Sequence, residues 1–179
     1  NHIAMLAALG AYTTGRSTKV WLNRDQDMMM TGKRHPIYSQ YEAVFNEDGD
    51  LLGLKVKLWA NVGWAEDLSS AILDRCLFHL DNPYYIPALH FEGKVAKTHL
   101  PSNTAFRGFG GPQGMLAIEN ILDEISKYLK KPLNDVRAIN YYNKKNGLKT
   151  PYGKLVKNSK LQYILIEIEI FCNFSSRFR

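Results

Sequence analysis

The feature that most constrains this chain is a glycine-rich turn followed directly by a long amphipathic helix. Residues 101–119 read Pro-Ser-Asn-Thr-Ala-Phe-Arg-Gly-Phe-Gly-Gly-Pro-Gln-Gly-Met-Leu-Ala-Ile-Glu. The glycines can adopt left-handed backbone angles or approach another group closely, and proline favours the first turn of a helix. A helix that starts near Pro112 would direct free amide N–H groups toward the turn. Together with the guanidinium of Arg107, these groups favour an anionic or oxo ligand.

Two common phosphate-binding motifs do not match this turn. Gln113 stands where a dinucleotide-binding fingerprint requires its third glycine, and no hydrophobic strand leads into the turn. No Gly-Lys-Ser/Thr follows, so the turn is not a P-loop. From spacing alone, an ordinary structural turn stays the alternative to a ligand site.

The pattern of the remaining chain predicts an α+β fold with an antiparallel or mixed sheet and packed helices. Two alternating runs, 37–45 and 51–59, are joined by an Asp-Gly pair and predict a β-hairpin. A further extended run is expected around residues 90–98. Helical spacing predicts helices over residues 1–14, 67–80, 114–129 and from Pro132 onward. We expect the first of these to be closely packed, and the helices over 67–80 and 114–129 to pack on the sheet.

Further predictions concern residues 18–36 and 161–171. Residues 18–24 alternate and predict a half-buried strand, followed by a connection over 25–36. His35 in that connection is expected to be an exposed or hydrogen-bonded structural residue, because no partners stand at metal-ligand spacing. Isoleucines alternate with Leu and Glu over residues 161–171 and predict another strand.

Composition excludes several classes of partner. The net charge is +6, but five basic and two acidic residues fall within the last 26 positions, so half of the excess lies in the tail. The other charges form no basic stripe with stacking aromatics, which argues against nucleic-acid binding. The sequence contains no run of 18 apolar residues, so it predicts no membrane span. The two cysteines form no C-x-x-C pair and no disulfide framework. This argues against a zinc or iron–sulfur site and favours a reducing, cytoplasmic compartment.

Several segments together resemble the molybdopterin-binding subunit of the xanthine dehydrogenase and aldehyde oxidase family. The longest, Ser102 to Gln113, is similar to the family signature without a gap. The others follow in the family's order and are residues 23–28, 31–36, 61–64, 78–82 and 150–153. We therefore expect residues 1–153 to be a fragment of the molybdopterin-binding domain. Residues 154–179 are expected to be an atypical tail, out of frame or disordered.

The resemblance implies a molybdenum hydroxylase, which oxidises a carbon next to nitrogen in a purine, or an aldehyde carbon, with a molybdenum–molybdopterin cofactor. By the same resemblance, Arg107 matches the arginine at the molybdenum site. Phe106 and Gly108 would lie beside the cofactor. Phe109 matches one of two aromatic rings that sandwich the flat substrate.

Arg75 stands 32 residues before Arg107, which is the family spacing. It matches the arginine that, in xanthine-type members, stabilises negative charge developing on the purine oxygen. Aldehyde oxidases generally lack an arginine there, so this position favours a xanthine dehydrogenase. Without the resemblance, Arg75 would be interpreted as a surface residue beside an apolar helix face.

The segments that carry the family's glutamates are absent from these 179 residues, so no catalytic base is expected here. Iron–sulfur clusters and FAD are expected on other subunits or regions. The expected partners are xanthine or hypoxanthine, the iron–sulfur/FAD subunit and the remainder of the molybdenum subunit. We expect the isolated chain to be inactive and prone to aggregate. Two alternatives stay open, a non-catalytic anion-binding or interaction module and an aldehyde oxidase-type fragment.

Overall fold

A three-stranded mixed sheet with helices packed against it organises the chain. The computed structural model describes residues 2–143, 146–157 and 159–172. In chain order the elements are α1 (His2–Thr14), α2 (Arg24–Met30), β1 (Ile37–Phe45), β2 (Leu51–Gly63), α3 (Ser69–Phe78), β3 (Leu89–Lys97), α4 (Gly111–Leu129), α5 (Leu133–Asn140) and α6 (Leu161–Cys172). The predicted α+β class with a mixed sheet is therefore confirmed.

The sheet begins with the predicted hairpin. β1 pairs antiparallel with β2, and the Asn46 side-chain oxygen accepts three backbone N–H bonds, from residues 48–50 of the turn. β3 then pairs with β2 in parallel, giving the order β1-β2-β3. A parallel pair requires a crossover connection, and α3 lies within that crossover.

The core lies between one face of the sheet and the helices α3 and α4. Alternate residues of β2 point into it, and they are Leu54, Val56, Leu58, Ala60 and Val62, each 3% exposed or less. The helices contribute Leu73 and Cys76 from α3 and Ile118, Ile121, Leu122 and Ile125 from α4. The predicted packing of these two helices on the sheet is confirmed. Each buried aliphatic side chain of this kind contributes about 1.5–3 kcal/mol.

Polar contacts attach α5 to the rest of the core. The Asn140 side chain accepts the Leu51 amide at 2.8 Å and donates to the Gly49 carbonyl at 2.8 Å. Arg137 pairs with Glu119 of α4 at 2.7 Å, and the Tyr84 hydroxyl donates to the same carboxylate at 2.5 Å. The long α4 is thus held from two sides.

The region predicted as a strand over residues 18–24 is different in the structure. Residues 18–23 form no regular element, and α2 begins at Arg24, the last residue of the expected strand, and continues through the start of the expected connection. A capping box explains this start, because the Asn23 side chain accepts the Gln26 amide at 2.8 Å and the Gln26 side chain accepts the Asn23 amide at 3.1 Å. The strand prediction was wrong because a local cap outweighed a short alternating pattern.

Helix α1 is present as predicted, but its expected close packing was wrong. None of its described residues is buried, and Met5 and Leu9 are 66% and 59% exposed. Its apolar residues do not concentrate on one side, so the helix has no strongly apolar face to bury.

Residues 161–171 were predicted to form a strand, and this was also wrong, because they form helix α6. In the described part of the chain no strand pairs with them, and an unpaired strand leaves its backbone polar groups unsatisfied. A helix satisfies them within the segment, as in the 2.9 Å bond from the Ile164 amide to the Lys160 carbonyl. Leu161 packs against the core, whereas seven apolar residues of α6 stay exposed: Tyr163, Ile164, Leu165, Ile166, Ile168, Ile170 and Phe171.

The tail predicted from residue 154 onward lies partly outside the described residues, which end at 172. Its origin stays a prediction. Among the residues described, none of the helices combines the length and apolar character that crossing a bilayer requires.

Candidate functional site

The segment that leads into the glycine turn is attached to three parts of the fold. The Asn103 amide donates to the Val62 carbonyl at the end of β2 at 3.0 Å. The Thr104 amide donates to the Lys33 carbonyl at 3.0 Å, and its hydroxyl donates to Asp67, just before α3, at 2.6 Å. The turn therefore starts from a fixed backbone.

Residues 106–111, hereafter the Arg107 turn, contain three consecutive left-handed residues. The φ angles are 94° at Gly108, 47° at Phe109 and 92° at Gly110. The Phe109 amide donates to the Phe106 carbonyl at 2.8 Å, which closes the turn. A bulky residue at positive φ is strained by roughly 1–3 kcal/mol, and such strain concentrates at functional sites.

The Arg107 turn packs directly on helix α3. A methyl group at Gly110 would overlap the Ile72 carbonyl oxygen and stand 3.1 Å from the Cys76 amide nitrogen. The His79 ring, whose Nδ1–H donates to the Arg75 carbonyl at 2.9 Å, lies 3.3 Å from the position of a methyl group at Gly111. The backbone of the turn is thus brought against the part of α3 that carries Arg75.

The side chains predicted to form the site are mostly accessible. Arg75, Arg107 and Gly108 are exposed, Phe106 is 53% exposed and Phe109 is half-buried. The backbones that carry them are adjacent, but no hydrogen bond or ring contact joins the side chains of Arg75, Arg107 and Phe109 within the described residues. Their assigned roles stay predictions.

The amides at the start of α4 are less available than the sequence argument expected. Pro112 has no N–H group, the Gly111 amide donates to Gly108 at 3.0 Å, and the Gln113 amide donates to Gly110 at 3.2 Å. The left-handed glycines direct their carbonyls to these donors. An anion near this turn would therefore depend on side chains such as Arg107 more than on the helix N-terminus.

Arg34 contacts the candidate site, and the sequence argument missed it. Its Nη2 donates to the Arg107 carbonyl at 2.6 Å, and its guanidinium carbon lies 4.6 Å from the centroid of the Phe106 ring. Its Nη1 is buried without a hydrogen-bond partner among the described residues, and so is Oε1 of Gln113. The contact joins positions 73 residues apart, so no local pattern could show it. Its position in the family-like segment 31–36 was the available signal.

His35, next in the chain, is buried and hydrogen-bonded, as the structural interpretation predicted. Its Nε2 lies 2.7 Å from the Ser69 hydroxyl oxygen at the start of α3. Burial lowers the pKa of His35 below its ordinary value, and the charge of Asp67 opposes this in part.

Two cavities of the described structure lie elsewhere. One, of about 280 Å³, is lined by Asp74, Leu77, Phe78, Asp81, Phe91, Pro151 and Tyr152. The other, of about 460 Å³, is a groove on the hairpin lined by Ser39, Gln40, Tyr41, Glu42, Lys55 and Lys57. Neither is lined by Arg75, Arg107 or Phe109. In the first, burial raises the pKa of Asp81, although the Tyr142 hydroxyl donates to its carboxylate at 2.8 Å.

The fold and a family match together define the class of this chain. Residues 1–141 match the family described as the molybdopterin cofactor-binding domain. The chain belongs to that family, as the resemblance of its segments predicted. This is a family of oxidoreductases whose cofactor is molybdenum–molybdopterin.

Its relatives by sequence are xanthine dehydrogenases. The chain is 41% identical over 165 residues to xanthine dehydrogenase of Drosophila subobscura, covering 92% of this chain and 12% of that protein. It is 41% identical over 180 residues to mouse xanthine dehydrogenase/oxidase, covering 94% and 14%. With xanthine dehydrogenase 1 of Arabidopsis thaliana the identity is 40% over 172 residues, covering 96% and 12%. The chain therefore spans about an eighth of the length of these relatives.

Solved structures agree with this fold. The aldehyde oxidoreductase of Desulfovibrio desulfuricans matches with a TM-score of 0.80 at 22% identity, over 96% of this chain and 19% of that one. The aldehyde oxidoreductase of Desulfovibrio gigas matches with a TM-score of 0.77 at 26% identity, over 92% and 18%. The predicted architecture, a partial molybdopterin-binding domain, is confirmed.

Proposed function

We propose that this chain is the part of a xanthine dehydrogenase molybdenum subunit that presents the Arg107 turn and Arg75 to the cofactor and a purine substrate. The observation that carries the proposal is the close fit of Gly110 against the backbone of α3, which places the turn next to the helical turn of Arg75. Only a residue without a side chain allows this approach.

The residues at the turn fit a polar, anionic cofactor. Arg107 is exposed, and Arg34 Nη1 and Gln113 Oε1 are buried without partners in the described structure. A buried polar atom without a partner costs about 1–3 kcal/mol, so a polar group bound at the turn would remove a penalty that the fold carries. Arg107, Phe106 and Gly108 would hold the cofactor, which supplies the redox chemistry when bound.

Phe109 and Arg75 would act on the substrate. An aromatic ring favours offset stacking on a flat purine, and its strained backbone fixes the direction of the ring. The Arg75 guanidinium would stabilise negative charge that develops on the purine oxygen, an effect commonly of about 3–4 kcal/mol in active sites. Its exposure in this chain leaves it accessible to substrate.

The catalytic base would come from outside this segment. Glu119 is occupied by Arg137 and Tyr84, and Glu124 is hydrogen-bonded to the Tyr41 hydroxyl. Both lie on α4 with structural partners. The remainder of the subunit would supply the base and exclude water, and the iron–sulfur/FAD part would accept electrons. A cytoplasmic location and a role in purine catabolism belong to the same proposal.

The test is an Arg75→Met substitution in the complete enzyme, with the exposed Arg16→Met as a matched control. We expect kcat/KM for xanthine to fall by about 100-fold or more, because charge stabilisation is lost in the transition state. Turnover of an aromatic aldehyde should change by less than about threefold, since no purine oxygen is involved. Arg16→Met should alter neither, and molybdenum and pterin contents should match the unmodified enzyme.

Equal losses on both substrates would contradict the role of Arg75. No loss on either would also contradict that role. An unmodified enzyme that turns over the aldehyde but not xanthine would favour the aldehyde oxidase-type alternative. Absence of molybdenum and pterin from the complete gene product, made where the cofactor is available, would favour a non-catalytic module instead.

A further inference from the structure

The segment Lys33–His35 runs along the Arg107 turn and contacts the turn and the residues on either side of it. The Lys33 carbonyl accepts the Thr104 amide at 3.0 Å, before the turn. Arg34 contacts Phe106 and the Arg107 carbonyl within it. The His35 carbonyl accepts Nε2 of Gln113 at 3.4 Å, after it.

Among these three residues, only Arg34 reaches the turn with its side chain. Its guanidinium makes two different contacts, an N–H bond to the Arg107 carbonyl and a contact over the Phe106 ring. Its Nη1 is also 3.9 Å from the position of a methyl group at Gly108. One side chain thus contacts Phe106 and Arg107 and lies close to Gly108.

Arg34 is not engaged in charge pairing. Other basic residues form ion pairs, as Arg137 does with Glu119 and Arg24 with Asp27, but none of the ion pairs within the described ranges includes Arg34. A half-buried guanidinium without a carboxylate partner is unusual, because burying a charge is unfavourable unless it is compensated. In place of an ion pair, the Arg34 side chain makes its contacts with the Arg107 turn.

The turn requires such support because its conformation is strained. Phe109 is held at a φ of 47° between two left-handed glycines, a conformation that a free loop would leave. The carbonyl that Arg34 holds belongs to Arg107, so it fixes the peptide plane between Arg107 and Gly108. That plane contains the Cα atom from which the Arg107 side chain leaves the backbone, and it ends at Gly108, the residue before Phe109.

We propose that Arg34 is the positioning residue of the molybdenum site, holding the Arg107 carbonyl and the Phe106 ring so that Arg107 and Phe109 face cofactor and substrate. This inference rests on the proposed function of the turn. Arg34 acts through the turn and does not itself meet the substrate. Misplacement of a catalytic group by about 1 Å can reduce a rate by about 100-fold.

The experiment compares Arg34→Met and Arg34→Lys in the complete enzyme, with Arg16→Met as the control. Hydrogen exchange is followed by mass spectrometry in the peptide covering residues 105–112, which contains the bonded amides of Phe109 and Gly111, and in the peptide covering 118–125 of α4. The kcat and KM for xanthine and the molybdenum and pterin contents are measured on the same preparations.

For Arg34→Met we expect exchange in peptide 105–112 to accelerate by about tenfold or more, with peptide 118–125 unchanged. The kcat should fall by about 10- to 100-fold with KM within about threefold, at an unchanged cofactor content. Arg34→Lys keeps the cation near Phe106 but lacks the planar fork, so both effects should be intermediate. The double variant Arg34→Met/Arg107→Met should lose less than the product of the two single losses, because part of the effect of Arg34 passes through Arg107.

The outcomes separate this inference from the proposed function. Slower turnover with unchanged exchange would show that Arg34 acts directly, which overturns the positioning role and leaves the proposed function standing. Faster exchange with unchanged turnover would overturn the proposed use of this turn in the reaction. Should Arg34→Met not accumulate, Phe106→Leu removes the ring contact alone, and unchanged exchange and kcat in that variant would overturn the proposal.

Discussion

The Arg107 turn and helix α6 are two exposed parts of the chain that are held in very different ways. The turn contacts residues far away in sequence, among them Arg34 and Ile72, and takes strained angles that its own residues would not choose. Helix α6 has regular backbone bonds of its own and packs on the core through Leu161, while its other described apolar side chains stay mostly in solvent. Exposure alone therefore does not show which part of this molecule is preformed.

The largest effect is expected from Gly110→Ala. The added methyl group would overlap the Ile72 carbonyl, and alanine at a φ of 92° is strained, so we expect a loss of about 3 kcal/mol or more in the free energy of unfolding. Gly15→Ala is the matched control, since it also has positive φ but no atom within 4 Å, and should lose about 1 kcal/mol. Urea unfolding of the dilute 179-residue chain measures both. Similar losses would mean that the turn is not packed on α3.

A second prediction concerns the scaffold behind the turn. Glu119→Gln weakens the pair with Arg137 and the bond from Tyr84, and we expect the free energy of unfolding to fall by about 1–3 kcal/mol because Tyr84 is buried and Arg137 is half-buried. Asp123→Asn on the same helix removes the exposed pair with Lys127 and should cause no measurable change. If the two substitutions behave alike in urea unfolding, the attachment of α5 to α4 does not depend on Glu119.

A third prediction uses pH. Because burial lowers the pKa of His35, the unfolded chain takes up a proton below about pH 6.5 before the folded chain does. The free energy of local opening should therefore fall as pH drops below about 6.5, by at most about 1.4 kcal/mol per pH unit. Hydrogen exchange of peptides covering residues 33–37 and 69–73, corrected for its intrinsic pH dependence, reports this opening. His35→Gln should abolish that slope, and α6 should not show it; a slope that persists in His35→Gln would assign it to another group.

The smallest effect is expected in α6. Ile168 is 46% exposed, so Ile168→Ala should change the free energy of unfolding by less than about 0.5 kcal/mol. Ile118→Ala, the same substitution at a fully buried position of α4, should lose about 2–5 kcal/mol. Comparable losses in the 179-residue chain would show that α6 packs on a surface as closely as α4 does, and the contrast between the turn and α6 would then disappear.

The regular elements of the core followed from local patterns. The period of two over β1 and β2 with the Asp-Gly turn predicted the hairpin, and the apolar spacing of α3 and α4 predicted helices that pack on it. The same reasoning was wrong at residues 161–171 and 18–24. An alternating pattern favours a strand only if a neighbouring strand supplies hydrogen bonds, and the described structure supplies none in either place.

Some residues of the candidate site were likewise predicted from the sequence, and some contacts were not. The signature of residues 102–113 led to the prediction of Arg107 and Phe109, and the family spacing led to Arg75, because a resemblance depends only on the residues themselves. The contact of Arg34 with the turn could not be predicted, since it joins positions 73 residues apart. The sequence also did not show that the amides of Gly111 and Gln113 are hydrogen-bonded within the turn. Those bonds depend on left-handed backbone angles, which glycine residues permit but do not require.

By itself the sequence determined which stretches form the hairpin and the core helices and which family the chain belongs to. Periodicity and motifs act within a few residues, so they can be recognised without knowing the path of the chain. Only the tertiary structure decided that Gly110 meets the α3 backbone, that Arg34 supports the Arg107 turn and that residues 161–172 are helical. Those outcomes depend on which distant segments pack together, because hydrogen bonds and close contacts act over a few ångströms in space whatever the separation in sequence.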